Sequence, residues 1–226
     1  YFMSLNRGKE SIALNLKNNE EDKKIFDKIL SKADILVENF KPGTLEKWGF
    51  GWKDINKKYP KLIYASASGF GQTGPLKELP AYDMVVQGMG GLMSVTGQPN
   101  SEPTRVGTSI GDITAALFTT IGINAALYDR EKTGKGMFID VSMLDCQIAI
   151  LENAIARYLS KNEIPKPMGS RHPSIAPFEA FKTKDNYIII AAGNDKLFEK
   201  LCILLDMKEI INDPKFSDNS SRAKNM

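Results

Sequence analysis

The chain has 226 residues, of which 42% are hydrophobic and 25% charged, and its formal net charge at pH 7 is +3. This composition is typical of a soluble globular protein that is long enough to bury a substantial core. The lysines are scattered and the net charge is small, so we expect no nucleic-acid partner. No uninterrupted apolar run approaches the roughly 18 residues of a membrane helix, so we expect no membrane contact.

The two cysteines, Cys146 and Cys202, both fall within apolar helical patterns. This placement predicts reduced, buried thiols in a cytoplasmic protein. The chain also lacks the close spacing of histidines and cysteines that metal sites use, so we expect no bound metal.

The first part of the chain alternates predicted strands with predicted helices. In order, these are a strand-like start at residues 1–3, a strand at 10–16, a helix at 19–33, a strand at 34–37, a Pro-Gly turn into a short helix that ends near residue 49, a helix at 52–59 and a strand at 62–66. Alternation at these lengths favours a mostly parallel α/β sheet.

Helical patterns dominate the middle of the chain, and the composition changes near its end. The predicted helices cover residues 83–92 and 113–130, with glycines around Gly134 ending the second of them. A strand at 137–141 and a helix from Ser142 to about Leu159 follow. Several prolines then predict a linker, followed by a hairpin at 178–192 with its turn at 182–186 and a helix at 194–206.

Together these patterns predict an α/β fold with a mostly parallel sheet and flanking helices. We expect a Rossmann-like large domain at residues 1–160, a linker at 161–177 and the start of a smaller α+β domain at 178–226. The strand-like beginning and the polar end suggest a piece of a longer protein.

Asp112 is the first candidate for chemistry. It directly precedes an apolar stretch of helical character, which predicts a helix N-cap. Free backbone N–H groups and the helix dipole would keep its carboxylate ionised and fixed in direction, as a carboxylate nucleophile requires. An ordinary structural N-cap remains the alternative.

The segment Gly69–Gly74 matches the dinucleotide-binding pattern G-x-G-x-x-G. That pattern requires a helix to open at its third glycine, and here Gly74 is followed by Pro75, two charged residues and a second proline. We therefore expect no NAD.

The ordered motifs Tyr82-Asp83, a Gly-Gly pair and Gly107–Asp112 resemble the class III CoA-transferase family, also called CaiB/BaiF. This family includes formyl-CoA transferases and 2-methylacyl-CoA racemases. The resemblance extends over residues 1–17, 37–50, 62–83, 107–145 and 169–177. It implies an acyl-CoA:carboxylate CoA-transferase in which Asp112 forms a mixed anhydride and then a thioester. Tyr82 and Asp83 would assist, and the glycine segments would supply oxyanion donors.

The same resemblance implies the substrate contacts and the assembly. The residues implied to bind coenzyme A are Leu14, Asn15, Leu16, Lys17, Asn39, Phe40, Lys41, Lys47, Ala81 and Tyr82. Residues 39–41 also follow a predicted strand, at the end where α/β sheets bind ligands, although a plain strand-to-helix turn would look the same. Residues 161–177 would include an active-site loop, with Gly169, Ser170 and His172 contacting the substrate. The full-length protein is expected to form an interlaced homodimer.

Two other functions stay open. A racemase would use Asp112 as an acid/base, but the racemase branch has a histidine where this chain has Tyr82, and a tyrosine with a pKa near 10 is a weak base. A non-catalytic CoA-binding module would keep Asp112 only as a cap. Asp145, three residues after Ser142, fits a capping-box-like helix start, which predicts a structural role.

Overall fold

The structure is a computed structural model, and it describes residues 1–225. The strands are β1 (Ile35–Glu38), β2 (Ile63–Ser68), β3 (Phe138–Ser142), β4 (Phe178–Lys182) and β5 (Tyr187–Ala191). The helices are α1 (Phe2–Leu5), α2 (Glu20–Leu30), α3 (Thr44–Lys47), α4 (Trp52–Lys58), α5 (Asp83–Met89), α6 (Leu92–Val95), α7 (Ile110–Thr133), α8 (Met143–Ile150), α9 (Glu152–Lys161), α10 (Asp195–Leu204) and α11 (Asn219–Asn225), with a 3-10 helix at Lys208–Ile210.

The chain divides into two compact units. The first joins residues 1–90 to 107–152, and the second joins residues 91–106 to those from 153 onward. The domain limits predicted from the sequence, at residues 160 and 177, stay predictions for the complete protein.

The first unit is built on a three-stranded parallel sheet in the order β1-β2-β3. The central strand, β2, is buried along almost its whole length, as expected of a strand that is paired on both edges and covered by helices. Parallel strands joined through helices confirm the predicted α/β class.

Two apolar clusters hold this unit together. The first lies among α2, α3, α4 and the sheet, and its buried members are Leu30, Leu45, Phe50, Ile55, Leu62 and Tyr64. The second connects α5, α7, β3 and α8, and its buried members are Val86, Ala115, Val141, Met143 and Cys146. Each large apolar side chain in such a cluster stabilises the fold by about 1.5–3 kcal/mol. The second cluster fixes the start of α7 relative to α5 and α8.

The second unit contains the antiparallel hairpin β4–β5, whose turn lies where the sequence predicted it. Arg222 of α11 is fully buried here. Its guanidinium donates to the carbonyl of Ala176 at 3.0 Å and to the carboxylate of Asp195 at 2.6 Å. Cys202 of α10 and Cys146 of the first unit are both buried free thiols, which confirms their predicted burial.

Three sequence expectations are wrong. Residues 2–5 form helix α1 rather than a strand, and residues 10–16 form no strand, because no described strand pairs with them and alternation without a partner leaves backbone groups unbonded. The helix expected from Ser142 to Leu159 is interrupted after Ile150, where Glu152 adopts a positive φ of 36°.

Helix α7 is long and apolar enough, by length and composition alone, to cross a membrane. We expected no such segment, but length and a low number of charges satisfy this criterion without an unbroken apolar run. The core helix of a soluble protein passes the same test, so the absence of membrane contact stays a prediction.

Candidate active site

Helix α7 places Asp112 at the exposed third position of its first turn. Its N-cap is Ser109, and neither Ser109 nor Asp112 provides a side-chain cap. The predicted N-cap role of Asp112 is therefore wrong, because the helix begins earlier than the apolar stretch suggests. No hydrogen bond to the Asp112 carboxylate is found within residues 1–225, so its oxygens remain available for chemistry.

Asp83 supports the start of α7 instead. Its Oδ1 accepts a hydrogen bond from the backbone N–H of Gly111 at 2.8 Å, and its Oδ2 accepts one from Gln87 Nε2 at 2.8 Å. A Cβ on Gly111 would lie 2.7 Å from Val86 Cγ2, so a larger residue there would push the two helices apart. The carboxylate beside the candidate nucleophile is thus held in place by both helices.

The charge environment of Asp112 differs from the one expected at a helix N-cap. Loss of water around its carboxyl group raises the pKa of Asp112, and the neighbouring charge of Asp83 raises it further. The residue as a whole is exposed, so this desolvation is local and partial. The pKa shift makes Asp112 ionise at higher pH than an ordinary aspartate.

Buried polar side chains support the next turn of α7. Gln147 of α8, fully buried, donates from Nε2 to Thr114 Oγ1 at 2.9 Å, and this hydroxyl in turn donates to the carbonyl of Ile110 at 2.7 Å. The hydrogen bond from Gln147 Nε2 fixes geometry in this low-dielectric interior, because breaking it would leave further buried polar atoms unpaired. The start of α7 is therefore held from α5 and α8 at once.

Tyr82 and Ala81 lead into this arrangement. Tyr82 is the N-cap of α5, where its carbonyl accepts from the N–H groups of Val85 and Val86, and its side chain is 79% exposed. Ala81 packs against the second apolar cluster. The structure thus brings Tyr82, Asp83 and Asp112 to one region, with Tyr82 exposed to solvent.

The residues implied to bind coenzyme A next to β1 lie at its carboxyl end. Phe40 packs edge-on against Trp48 at 5.4 Å between ring centroids, and its N–H donates to Glu38 Oε2 at 2.8 Å. Lys41 and Lys47 are exposed, and Lys41 Nζ lies 3.7 Å from the carboxylate of Glu78. Asn39 is also exposed, so this edge presents cations and an amide to solvent.

The earlier segment of this group, Leu14–Lys17, packs against the first apolar cluster. Leu16 contacts the first apolar cluster, which also contains Leu45 of α3. Asn15 donates from its N–H to Asp22 Oδ2 at 2.7 Å, while Lys17 is exposed. The first apolar cluster thus contacts both segments that are implied to bind coenzyme A, through Leu16 and Leu45.

A cavity of about 210 Å³ lies behind this edge, lined among others by Glu38, Trp52, Tyr64 and Phe138. Sites that enclose drug-sized ligands measure roughly 300–1,000 Å³. The cavity is too small to enclose coenzyme A, so we expect the nucleotide to lie on the exposed edge.

The residues implied to contact substrate belong to the second unit. Gly169 donates from its N–H to the carbonyl of Gly97 at 2.8 Å, and Ser170 Oγ accepts from the N–H of Ala180 at 3.0 Å. His172 stacks on Phe178, and its Nδ1 accepts from the N–H groups of Ser174 and Ile175 at 3.2 and 3.0 Å. Of its two ring nitrogens, Nε2 is therefore the donor in the neutral form.

The glycine segment Gly69–Gly74 forms a loop rather than a helix start. The next helix, α5, begins only at Asp83, so backbone N–H groups of a helix do not converge on Gly74 as a dinucleotide site requires. In the part of the chain that the structure describes, no cluster of three or more His, Cys, Asp or Glu side chains could hold a metal ion.

The sequence did not single out Glu38, Ser66 and Asp140, which hold the Gly69–Gly74 loop. Ser66 Oγ donates to Glu38 Oε1, and both oxygens of Asp140 accept from the N–H of Gln72 at 3.0 Å. The available signal was that each residue stands near the carboxyl end of a predicted strand, where functional side chains of parallel sheets gather.

Comparison with known proteins gives a consistent result over the whole chain. Residues 1–226 match the family model described as CoA-transferase family III. The acetyl-CoA:oxalate CoA-transferase of Acetobacter aceti is 49% identical over 226 residues, which are 100% of this chain and 58% of that protein. The succinyl-CoA:glutarate CoA-transferase of Homo sapiens is 41% identical over 225 residues, covering 100% of this chain and 51% of that protein.

A solved structure agrees with these relatives. The crystal structure of a CaiB/BaiF family protein from Brucella suis matches with a TM-score of 0.83 and 42% identity, covering 97% of this chain and 58% of that one. The chain thus spans little more than half the length of the relatives it matches.

Proposed function

The chain belongs to CoA-transferase family III, and on that premise we propose that its complete protein transfers coenzyme A from an acyl-CoA donor to a carboxylic acid. The observation that carries this proposal is the first turn of α7. There Asp112 presents a carboxylate without a hydrogen-bond partner among the described residues, while Asp83 fixes the backbone of Gly111 beside it.

We propose a covalent route through Asp112. Its carboxylate attacks the thioester carbonyl carbon, the carbon–sulfur bond breaks, and CoA thiolate leaves a mixed anhydride. The thiolate then attacks the aspartyl carbonyl carbon, which releases the donor acid and forms an aspartyl thioester. The acceptor carboxylate attacks that thioester and CoA leaves, and CoA finally attacks the acceptor's acyl carbon, which restores Asp112. Covalent catalysis divides one difficult exchange into easier steps.

Backbone N–H groups are the proposed oxyanion donors. The N–H groups of Gly111 and Gln72 already donate to Asp83 and Asp140, so the donors come from other positions of the glycine segments. Tyr82 is the proposed phenolic donor, which its exposure at the start of α5 supports.

The acceptor is proposed to be a short dicarboxylic acid. This rests on the names of the relatives, which act on oxalate and glutarate and are 49% and 41% identical to this chain. The second carboxylate of such an acid needs a cationic or hydrogen-bonding partner. Ser170 and His172 are the proposed contacts, with His172 Nε2 as the donor.

We further propose that the complete protein is a cytoplasmic homodimer of the interlaced kind. Two buried free cysteines suit a reducing compartment. An exposed apolar stripe on α7 supports the dimer, because large apolar surface in solution usually marks an interface; its members are Ile113, Leu117, Ile121 and Tyr128.

The test is an assay of the full-length protein with a panel of acyl-CoA donors and carboxylic acids, including oxalate, succinate and glutarate. The proposal expects a new CoA ester of the acceptor to form in step with loss of the donor. Exchange of the α-proton of a 2-methylacyl-CoA with deuterium, without transfer, would identify a racemase. CoA binding without either reaction would identify a binding module.

A further inference from the structure

Three side chains, one from each strand, form a row across the carboxyl end of the parallel sheet. In register, Glu38 of β1 stands beside Ser66 of β2, and Ser66 stands beside Asp140 of β3. Register partners project from the same face of a sheet, and here Ser66 Oγ donates to Glu38 Oε1. We call Glu38, Ser66 and Asp140 the cross-sheet row.

The cross-sheet row holds the Gly69–Gly74 loop through hydrogen bonds to Gln72. The backbone N–H of Gln72 donates to Oδ1 and Oδ2 of Asp140, at 3.0 Å each, and its side-chain Nε2 donates to Ser66 Oγ at 2.7 Å. The neighbouring Gly71 has a left-handed φ of +80°, which favours glycine, and an added Cβ there would be in ordinary van der Waals contact with Asp140 Oδ1 at 3.5 Å. One residue of the loop is thus held by its main chain and its side chain from two adjacent strands.

Gly69, at the amino end of the loop, packs against Ala81 in the segment that precedes α5. A Cβ on Gly69 would lie only 2.4 Å from Ala81 Cβ, so only glycine fits there, and the Gly69 carbonyl accepts from the N–H of Leu144 at 3.1 Å. Ala81 is followed by Tyr82 and Asp83. Close-packed contacts of this kind transmit displacement, because a packed interior has little room to absorb it.

We propose that the cross-sheet row positions the catalytic apparatus: through Gln72 it holds Gly69 against Ala81, and thereby sets Tyr82, Asp83 and the first turn of α7. Asp140 is the principal positioning residue, since both its carboxylate oxygens accept from the loop at the Gln72 N–H. The inference rests on the proposed function, because it concerns the orientation of Asp112 for CoA transfer.

A purely stabilising role makes a different prediction. Asp34, which directly precedes β1 at the amino end of the same sheet, forms an ion pair with Arg130 at 3.0 Å between Oδ1 and Nη2. It is a carboxylate with a defined partner but without contact to the loop, so Asp34→Asn is the matched control. A stabilising contact changes the melting temperature alone, whereas a positioning contact changes kcat.

The experiment compares Asp140→Ala, Asp140→Asn and Asp34→Asn in the full-length protein. The measured quantities are kcat and KM for acyl-CoA, the melting temperature, and amide hydrogen exchange of the peptide that contains residues 69–74. Asp140→Ala should lower kcat roughly 10- to 100-fold, the scale for a small displacement of reacting groups, with KM little changed and faster exchange in the loop. Asp140→Asn keeps an acceptor for the Gln72 N–H, so kcat and loop exchange should stay close to their wild-type values. Asp34→Asn should change neither kcat nor loop exchange.

Wild-type kcat in Asp140→Ala would overturn the inference, as would unaltered exchange in the loop. If Asp140→Ala does not fold, Ser66→Ala removes the other contact to Gln72 and should shift kcat and loop exchange in the same direction; no shift would likewise overturn it. A wild-type protein that transfers CoA between no pair of acids would contradict the proposed function instead. Loop exchange would then decide whether the row holds the loop.

Discussion

The starts of α7 and α8 have the same local pattern but different support. Each helix carries an aspartate at its third position, Asp112 in α7 and Asp145 in α8. In α8 the preceding Ser142 caps the helix in the ordinary way, with its Oγ accepting from the N–H of Asp145 at 3.2 Å. In α7 the cap comes from Asp83 on another helix.

Under the proposed mechanism, this difference accounts for the different roles that we assign to the two carboxylates. A helix start that caps itself needs nothing from the rest of the fold. A helix start capped from outside is fixed relative to the capping helix, so the aspartate beside it is preorganised by tertiary contacts. Preorganisation of this kind is where much of the catalytic effect of enzymes arises.

The largest expected effect separates the two aspartates directly. Asp112→Asn in the full-length protein should lower kcat for CoA transfer by roughly 10³-fold or more, the scale for removing a covalent nucleophile. Asp145→Asn is the matched control and should keep most of the activity. Steady-state kinetics with both variants checks this, and comparable losses in the two would remove the distinction.

Two substitutions of Asp83 distinguish its role as a helix cap from the effect of its charge. Asp83→Ala leaves the Gly111 N–H and Gln87 without their acceptor, so the free energy of unfolding should fall by about 1–3 kcal/mol. The displaced helix start should also lower kcat roughly 10- to 100-fold. Asp83→Asn keeps an acceptor oxygen and should lose much less stability, which thermal or denaturant unfolding will measure.

The same pair of variants tests the pKa of Asp112. The pKa is raised in the folded protein, so the fraction of ionised nucleophile, and with it kcat, should fall at a higher pH than for an ordinary aspartate as the solution is acidified. Removing the charge of Asp83 removes one of the two causes of the raised pKa of Asp112. In Asp83→Asn, the fall of kcat on acidification (the acid limb of the pH profile) should therefore move to lower pH. A limb that stays in place would show that Asp83 does not act on Asp112 through charge.

The local signals of the sequence explain what could be predicted and what could not. Gly134 ends α7 with φ +69°, and Ser142 caps α8, as their residue types indicate. The family resemblance, which the family match confirms, could be found from the sequence because the residues of each motif are contiguous. The contact from Asp83 to Gly111, by contrast, joins residues on different helices, and no pattern of neighbouring residues predicts it.

The cross-sheet row was missed for the same physical reason. Which residue of β1 stands beside which residue of β2 depends on strand register, and a shift by one residue would turn each side chain to the opposite face. Glu38, Ser66 and Asp140 therefore become neighbours only in the folded sheet. The wrong N-cap assignment of Asp112 has a related cause, since Asp83 rather than a local side chain defines the helix start.

A smaller effect concerns the exposed edge near β1. Lys47→Ala should weaken CoA binding by about 1–3 kcal/mol, the range for losing a hydrogen bond to a charged group. Lys24→Ala is the control, because this exposed lysine of α2 forms a surface ion pair with Glu21. Calorimetric titration with CoA measures both, and equal affinities would place the phosphates elsewhere.

The smallest expected effect lies at α8. Ser142→Ala removes a local N-cap and should lower the free energy of unfolding by about 1 kcal/mol while kcat stays unchanged. Thermal unfolding and steady-state kinetics of the same preparation measure the two quantities. A large loss of activity would mean that the start of α8 also takes part in positioning the site.

Chemical trapping of an acylated side chain shows directly whether Asp112 is the nucleophile. Full-length protein is mixed with acyl-CoA and hydroxylamine, which converts an activated carboxyl group into a hydroxamate, and the modified peptide is mapped by mass spectrometry. The proposed covalent route predicts a hydroxamate on Asp112. A hydroxamate on Asp145, or CoA transfer with Asp112 unmodified, would contradict it.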